Sequence, residues 1–473
     1  MKENAEPIKM KNTDFKKLVA PYKKEAFETL KEYIAIDSVL DSKTQSKEKP
    51  FGEGVDKALA FVAELGRKMG FHVDRCDNYV TELTYGEGDK ILDIYAHSDV
   101  VPVKKENWTA DPFTLRLEEG NIMYARGSSD DKGPGLACLF AVKALIDKGA
   151  LGGYKMRFLF GGNEENDSLC LKHYFEEMKK PYPTLGFSPD AEYPLIYAEK
   201  SIYAYTAEYP VTVLGIENFS LGEALNIVLA EASCDITLHQ DDVKRELPSY
   251  LERHKRIKAT FDGKTLKFFG KPYHGSMPWN GVNAGLYMLH FLGEVFGNKT
   301  FKDVFFQYHD GMGEQFKGNF KNEYFSESSY NVGRISYDGN KLTIAVNVRF
   351  PAGMDIHDVL NNVSTKTSAN VTLLGGSDGF VADPKSDFIN ILLGAYQKET
   401  GDMKSMPLAI GGGTYARESK NSVAFGAQFP GRDYRMHGDD EFFPLSDFYD
   451  NMQIYAHAIY DLSEYLRTGK KPE

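Results

Sequence analysis

"ILDIYAHSDVVPV", residues 91–103, is an apolar run that ends on two polar side chains, His97 and Asp99. The side chains of an extended chain alternate between its two sides, so positions 97 and 99 point the same way. A histidine and a carboxylate on one side of a strand end indicate a functional site. An isolated pair of this kind is also common in a surface turn, so the rest of the chain has to decide.

The composition is that of an ordinary globular protein with an acidic balance. The 473 residues are 42% hydrophobic and 26% charged, which allows a large core. The formal net charge of -12 argues against nucleic acid or a membrane surface as a partner, because both need clustered Lys and Arg. The four cysteines are widely spaced without a C-x-x-C pair, so neither a disulfide framework nor a thiolate metal site is predicted.

Targeting and membrane signals are missing from the sequence. The N-terminal region contains no apolar core of signal-peptide length, and no later segment reaches the run of about eighteen apolar residues that a membrane helix needs. We therefore expect a cytoplasmic protein without membrane association.

Strand and helix patterns alternate in the first part of the chain. "KILDIYAHSD" (90–99) and "YKMRFLFGGNEEN" (154–166) indicate buried strands, and "GLACLFAVKALIDKGA" (135–150) indicates a helix between them. This alternation predicts an α/β fold with a mixed, mostly parallel sheet and helices on both faces. Sites in such sheets gather at the strand ends.

The pattern changes near residue 196, where longer and more polar strands begin, and amphipathic helices return from about residue 380. We therefore predict two domains. Residues 1–195 and 379–473 form the α/β domain, and residues 196–378 form an inserted α+β domain.

Four further stretches place carboxylates or a histidine beside glycine or at a strand end. Each alone has an ordinary explanation, since paired acids are usually solvated, Asp-Asp-Lys-Gly is usually a turn, and a lone histidine is usually structural. Together with the first stretch they predict one site. They are "ARGSSDDKGPG" (125–135), "GGNEENDS" (161–168), "FSPDAEYP" (187–194) and "RMHGDDEF" (435–442).

These residue types suit a pair of divalent metal ions. Two ions about 3.5–4 Å apart need a bridging carboxylate, further oxygen and imidazole ligands, and a water between them. A second carboxylate has to stay off the metals to take the proton of that water. Histidine and carboxylates without cysteine favour zinc, manganese or cobalt. In this interpretation His97 binds metal, and Asp99 accepts a hydrogen bond from its other ring nitrogen.

The motifs H-S-D-V-V-P, G-S-S-D-D-K-G, N-E-E, S-P-D-A-E-Y-P and M-H-x-x-x-E occur in this order along almost the whole chain. The set resembles the di-zinc peptidases of metallopeptidase clan MH, which include aminoacylase, carboxypeptidase G, carnosinase and the PepV-type bacterial dipeptidases. The chain is most similar to the PepV type in its length, in its large insertion and in the W-T-x-D-P-F stretch at residues 108–113.

The resemblance implies two metal ions, most often zinc, and a role for each motif. The family aspartate that bridges the metals stands two residues before Lys-Gly, which selects Asp130 over Asp131, and the peptide bond after it is cis in the family. The glutamate that stands off the metals, Glu164, becomes the general base. The implied ligands are His97 and Asp190 for one metal, Glu165 and His437 for the other, and Asp130 for both.

The insertion resembles the lid of these enzymes. "GKPYHGSMP" (270–278) implies that His274 is the lid histidine that holds the tetrahedral oxyanion. Asn226 and Arg349 resemble lid positions that contact substrate, and a guanidinium suits a C-terminal carboxylate. The other interpretation of Arg349 is a salt bridge within the lid. In the glycine loop 409–417, Gly412 and Gly413 are expected to face the substrate.

The resemblance implies hydrolysis of short peptides, most of all dipeptides with both termini free. Asp190 favours this, because deacylases and carboxypeptidases of the superfamily more often carry glutamate there. Cleavage of N-acyl amino acids or a carboxypeptidase activity is the alternative, and a non-catalytic peptide-binding protein is a third. An enlarged lid implies a monomer. Asn166-Asp167-Ser168 replaces the usual Thr/Ser-Gly after the paired glutamates, which puts substrate preference in doubt.

Overall fold

The computed structural model describes residues 7–10, 12–166, 168–222 and 224–472. None of the helices in these ranges has the length and apolarity that a membrane crossing requires. The α-helices, numbered along the chain, are α1 (Phe15–Val19), α2 (Lys23–Ile34), α3 (Glu53–Met69), α4 (Lys132–Asp147), α5 (Leu169–Lys172), α6 (Gln240–Arg253), α7 (Ala284–Val295), α8 (Lys299–Tyr308), α9 (Ile356–Thr367), α10 (Asp387–Thr400) and α11 (Leu445–Thr468).

The β-strands are numbered in the same way. They are β1 (His72–Asp74), β2 (Val80–Tyr85), β3 (Ile91–His97), β4 (Arg116–Glu118), β5 (Ile122–Tyr124), β6 (Lys155–Gly161), β7 (Leu185–Ser188), β8 (Ala191–Glu192), β9 (Ile196–Glu199), β10 (Ser201–Pro210), β11 (Ile216–Glu217), β12 (Phe219–Leu221), β13 (Glu231–Ile236), β14 (Lys258–Phe261), β15 (Thr265–Phe269), β16 (Ser329–Tyr337), β17 (Lys341–Phe350), β18 (Asn370–Ser377), β19 (Phe380–Val381), β20 (Leu408–Ile410), β21 (Ser422–Ala424), β22 (Ala427–Gln428) and β23 (Phe442–Pro444).

The chain divides into two compact units. Unit 1 comprises Met1–Tyr197, Ala382–Leu408 and Thr414–Glu473, and unit 2 comprises Ala198–Val381 and Ala409–Gly413. The glycine loop 409–413 therefore groups with unit 2. The assignment of a catalytic role to one part of the chain and of a lid role to the other stays a prediction.

Unit 1 is built on a mixed sheet with the strand order β1-β2-β6-β3-β7-β21-β9. The central strands β6, β3, β7 and β21 are parallel, and the strands that flank them are antiparallel. Parallel pairing follows the helical crossovers, since α4 lies between β3 and β6 in the chain and α5 between β6 and β7. The predicted mixed sheet is confirmed, and its parallel part is these four strands.

The central strand β3 is covered on both faces, because all seven of its residues are buried. Helix α4 packs on β3 and on α11, and α3 packs on β2. A strand buried on both sides is mostly apolar, which is why "ILDIYA" carries almost no alternation, and its one carboxylate, Asp93, is paired with the buried Arg157. The predicted arrangement of an apolar sheet covered by helices is confirmed, and its strand ends are the places left for polar groups.

Unit 2 is an α+β structure, as predicted for the insertion. Its larger sheet has the order β12-β16-β17-β10-β18 and its smaller sheet the order β11-β13-β15-β14, and all pairs are antiparallel. Strand β13 alternates buried and more exposed residues, which is the pattern of a sheet with one face on a core. A hydrophobic cluster with members from both sheets and from α6 to α9 forms that core.

Candidate metal centre

Of the five predicted metal ligands, one ends a strand of unit 1 and the other four lie in loops between its strands and helices. His97 is the last residue of β3, Glu165 lies in the loop after β6, and Asp190 lies in the loop after β7. These strands are parallel neighbours, so their carboxyl ends meet at one edge of the sheet. Asp130 comes just before α4, and His437 lies in the loop before β23.

The structure brings these five residues into two groups that share Asp130. In one group, Nε2 of His97 lies 2.9 Å from Oδ1 of Asp130 and 3.6 Å from Oδ2 of Asp190. In the other, Nε2 of His437 lies 2.9 Å from Oδ2 of Asp130 and 3.1 Å from Oε2 of Glu165. Ligands of a tetrahedral zinc, bonded at about 2.0–2.1 Å, are separated by about 3.4 Å. The spacing therefore fits two ions on opposite oxygens of one carboxylate.

The candidate metal centre contains more buried acidic side chains than basic ones. Burial raises the pKa of Glu164 well above its ordinary range, and the charge of Asp190 raises it further. Burial and the charge of Asp130 raise the pKa of Asp190 to about 7. Partial desolvation of the half-exposed His437 ring would lower its pKa, but the carboxylates of Glu165 and Asp130 outweigh it and raise that pKa to about 12. All these shifts have the direction expected of a cluster that lacks positive charge.

An unpartnered oxygen points to the same conclusion. Oε1 of Glu165 is buried and has no hydrogen-bond partner among the described residues. Buried carboxylates are stable when they are hydrogen-bonded, paired with a cation or bound to a metal ion. The donor set of imidazoles and carboxylates, with no thiolate, fits hard to borderline divalent ions. The residues present therefore fit a pair of such ions.

Asp99 lies beside His97, as predicted, but a different atom makes the contact. Nδ1 of His97 lies 2.9 Å from the main-chain oxygen of Asp99 and 3.6 Å from its carboxylate. A carbonyl oxygen only accepts, so Nδ1 carries a proton and donates to it, and Nε2 is the nitrogen that faces Asp130. The carboxylate of Asp99 instead accepts the backbone N–H groups of Glu164 and Glu165, each at 3.1 Å. Asp99 thus orients the histidine and also fixes the loop of the paired glutamates.

A buried ion pair that the sequence analysis did not identify ties two of the loops together. Glu441 accepts from Nη1 of Arg126 at 2.6 Å and from the backbone N–H and hydroxyl of Ser129 at 2.8 and 2.9 Å. Arg126 also donates to the carbonyl of Gly438 at 3.0 Å. Ser129 directly precedes Asp130, and Gly438 directly follows the second histidine. The only signal in the sequence was the final glutamate of M-H-x-x-x-E.

The backbone has uncommon conformations in the loop that carries Asp130 and in the loop that carries His437. The peptide bond between Asp130 and Asp131 is cis, as the resemblance implied. His437 has a φ of 60°, in the left-handed region that non-glycine residues seldom adopt and that is enriched at functional sites.

The three residues that depart from the family pattern follow the paired glutamates. Asn166 is exposed and Ser168 is buried, while Asp167 lies outside the described residues.

The predicted substrate-binding residues all belong to unit 2. The backbone carbonyl of Asn226 accepts from the N–H of Gly275 at 2.6 Å, and Ile227 forms an isolated bridge with His274. Asn226 and His274 are therefore held side by side on two adjacent segments. Nδ1 of His274 lies 2.7 Å from the hydroxyl oxygen of Ser276.

The glycine loop 409–413 connects this pair of segments with Arg349. Nη1 of Arg349 donates to the carbonyl of Gly411 at 2.6 Å. A Cβ on Gly411 would lie 3.4 Å from Cβ of Ser276, so the loop also contacts the segment of His274. Gly412 and Gly413 follow in the same loop. The four residues predicted to bind substrate and the predicted oxyanion histidine, His274, are thus neighbours in unit 2.

Comparison with known proteins identifies close relatives along most of the chain. Residues 94–461 match the model of peptidase family M20/M25/M40. The chain is 32% identical to "Putative dipeptidase YtjP" of Bacillus subtilis (strain 168), with 93% of this chain and 98% of that protein covered. It is 33% identical to "Putative dipeptidase SAUSA300_1697" of Staphylococcus aureus (strain USA300), with 95% and 99% covered.

Solved structures share the fold at lower identity. The dipeptidase Dug1p of Saccharomyces cerevisiae has a TM-score of 0.59 at 17% identity, over 95% of this chain and 98% of that one. Aminoacylhistidine dipeptidase of Vibrio alginolyticus has a TM-score of 0.53 at 14% identity, over 98% and 99%. The predicted fold class and the predicted peptidase superfamily are confirmed. By the extent of the family match and the coverage of its relatives, this chain belongs to peptidase family M20/M25/M40, and it is a peptidase.

Proposed function

We propose that the protein hydrolyses the peptide bond of dipeptides whose amino and carboxyl termini are both free, with two bound divalent metal ions, zinc being the first choice and manganese or cobalt the others. The observation that carries the proposal is the pair of ligand groups that share Asp130, next to a glutamate that belongs to neither group. The dipeptidase names of relatives that match over nearly their whole length support the substrate class.

In this proposal each residue of the centre has one role. His97 and Asp190 would hold one ion, Glu165 and His437 would hold the other, and Asp130 would be shared by the two groups. Such ions supply Lewis-acid polarisation of the scissile carbonyl and of a water molecule. The donation from Nδ1 of His97 to the carbonyl of Asp99 holds the ring so that Nε2 is turned toward Asp130, where it would lose its proton on binding a metal ion.

Glu164 is the general base in the proposal. Its carboxylate removes the proton of the attacking water as the water oxygen adds to the carbonyl carbon. The same group returns that proton to the leaving nitrogen when the C–N bond breaks. Asp99 supports this role because it accepts a hydrogen bond from the backbone N–H of Glu164 and so fixes the backbone from which the Glu164 side chain extends.

Unit 2 supplies the substrate contacts in the proposal. His274 stabilises the oxyanion, Asn226 contacts the peptide, and Arg349 binds the terminal carboxylate through its planar guanidinium. Gly412 and Gly413 offer backbone groups without side chains, which lets a substrate approach the main chain closely. The mutual contacts of these residues within unit 2 support their action as one set.

The discriminating experiment compares three substrates. With zinc or manganese bound, an unblocked dipeptide should be cleaved rapidly, because both of its charged termini can be recognised. The matching tripeptide and the N-acetyl amino acid should be cleaved at least ten times more slowly. Product analysis by chromatography measures all three. Faster cleavage of the acetylated compound would make the protein a deacylase and end the dipeptidase proposal.

Replacement of the proposed base should separate catalysis from metal binding. Glu164→Gln should keep both metal ions and lose about 10²–10⁴-fold in kcat, since general-base catalysis contributes about that factor. Glu165→Gln should instead lower the metal content. Turnover of the dipeptide and metal analysis by mass spectrometry are measured on the same samples. The exposed Glu119→Gln variant is the control, and substantial activity in Glu164→Gln would exclude Glu164 as the base.

The buried pair of Glu441 and Arg126 should be needed for metal affinity. Glu441→Gln removes the charge that holds the loop before Asp130, and loss of an outer hydrogen-bond partner weakens metal binding by about 10–100-fold. Competition with a chelator measures the affinity, and thermal unfolding of the metal-free protein measures the loss of stability separately. Affinity equal to that of Glu119→Gln would show that the pair has no part in holding the metal centre.

We also propose that the protein is a cytoplasmic monomer that needs no partner beyond its peptide substrate. The support is the long insertion, which forms a complete two-sheet unit with its own core. Light scattering at micromolar concentration should give a mass near 53.1 kDa. A stable particle of twice that mass would contradict the proposal.

A further inference from the structure

Three charged residues lie at one end of the larger sheet of unit 2. Arg349 on β17 pairs with Ile202 on one neighbouring strand and with Ser329 on the other. Lys200 and Glu327 stand two residues before those two partners, each just outside the end of its strand. Nζ of Lys200 lies 3.4 Å from Oε1 of Glu327, so the side chains of the two outer residues meet.

Both cations of this row are buried and both contact the glycine loop. The side chain of Lys200 is 5% exposed and Arg349 is 4% exposed. Arg349 donates to the carbonyl of Gly411 at 2.6 Å, and the ammonium of Lys200 lies 3.9 Å from the position of a Cβ on Gly411. The backbone N–H of Lys200 also donates to the carbonyl of Ile410 at 3.1 Å. The two positive side chains thus converge on one loop of unit 2.

The placement of Lys200 has an electrostatic penalty. Burial lowers the pKa of its ammonium and the charge of Arg349 lowers it further, while Glu327 acts in the opposite direction. The ion pair with Glu327 offsets part of this penalty, although the four-carbon stem alone could fill the space as an apolar side chain. A second cation beside a buried guanidinium becomes favourable when an anion binds between or beside them, because opposite charges attract strongly where water is excluded.

We propose that Lys200 is a second carboxylate-binding residue, which together with Arg349 binds the C-terminal carboxylate of the dipeptide; this rests on the proposed function. The carboxylate takes the place of the Gly411 carbonyl on Arg349, because charge-assisted hydrogen bonds are about twice as strong as those to neutral acceptors. Glu327 holds the ammonium of Lys200 before substrate arrives and competes with the substrate for it. The three consecutive glycines of the loop, 411–413, allow the backbone to adjust during this exchange.

The test compares a dipeptide with its C-terminal amide, which differs only in the charged group. Lys200→Met keeps the stem and removes the charge. It should lower kcat/KM for the free dipeptide about 10–100-fold, chiefly through KM, since one hydrogen bond to a charged group is lost. Cleavage of the amide should change less than threefold. Lys200→Arg should restore part of the loss, and Glu327→Gln should lower KM for the free dipeptide.

Controls separate binding from folding and from the proposed function. The exposed Lys258→Met variant in the same unit should behave as wild type. Metal content should be the same in all variants, and thermal unfolding checks that each of them is folded at the assay temperature. Calorimetry in a Glu164→Gln background compares the binding of the dipeptide and of its amide with and without the charge of Lys200, in the absence of turnover. If wild type cleaves neither compound, the proposed function fails and calorimetry still tests Lys200. Equal losses for dipeptide and amide, or no loss for either, would overturn the role of Lys200.

Discussion

One carboxylate between two imidazoles organises unit 1. The two oxygens of Asp130 each lie 2.9 Å from the Nε2 atom of a different histidine, and further acids surround the three groups. Such a cluster repels itself unless positive charge is added and its members are held in place. The helix that starts next to Asp130 and the buried Arg126–Glu441 pair hold the loops that carry these groups.

The proposed ligands were identified from the resemblance of their motifs to the family, and for two of them the apolar pattern adds a geometric reason. His97 ends β3 and Asp190 follows β7, so the parallel sheet alone brings them to one edge. The Arg126–Glu441 pair was not predictable, because its members are 315 residues apart and a lone arginine has many possible partners. For Asp99 the residue was predictable but not the atom, since the carbonyl and the carboxylate lie on either side of the same Cα.

Unit 2 shows where sequence patterns are weakest. The motif around His274 is short and recognisable, whereas Lys200 stands in "YAEKS" with nothing to distinguish it from a solvated lysine. Its burial follows from three strands that end together and from a loop supplied by a distant part of the chain. That loop, 409–413, was expected within the α/β domain, because it lies in the stretch 379–473 that the sequence pattern assigns to that domain.

The adjacent glutamates have a consequence for how this site can change. Successive side chains leave a backbone in different directions, so one of the two contacts His437 while its neighbour belongs to neither ligand group. The backbone positions of both glutamates are fixed by the same group, the Asp99 carboxylate, which accepts hydrogen bonds from their N–H groups. A gain or loss of one residue between β6 and this pair would move one glutamate into the other's place and put a residue from outside the pair in the place it leaves. The length of that short connection is therefore as strict a requirement as the identity of the acids, and natural variants should tolerate substitutions there far better than insertions or deletions.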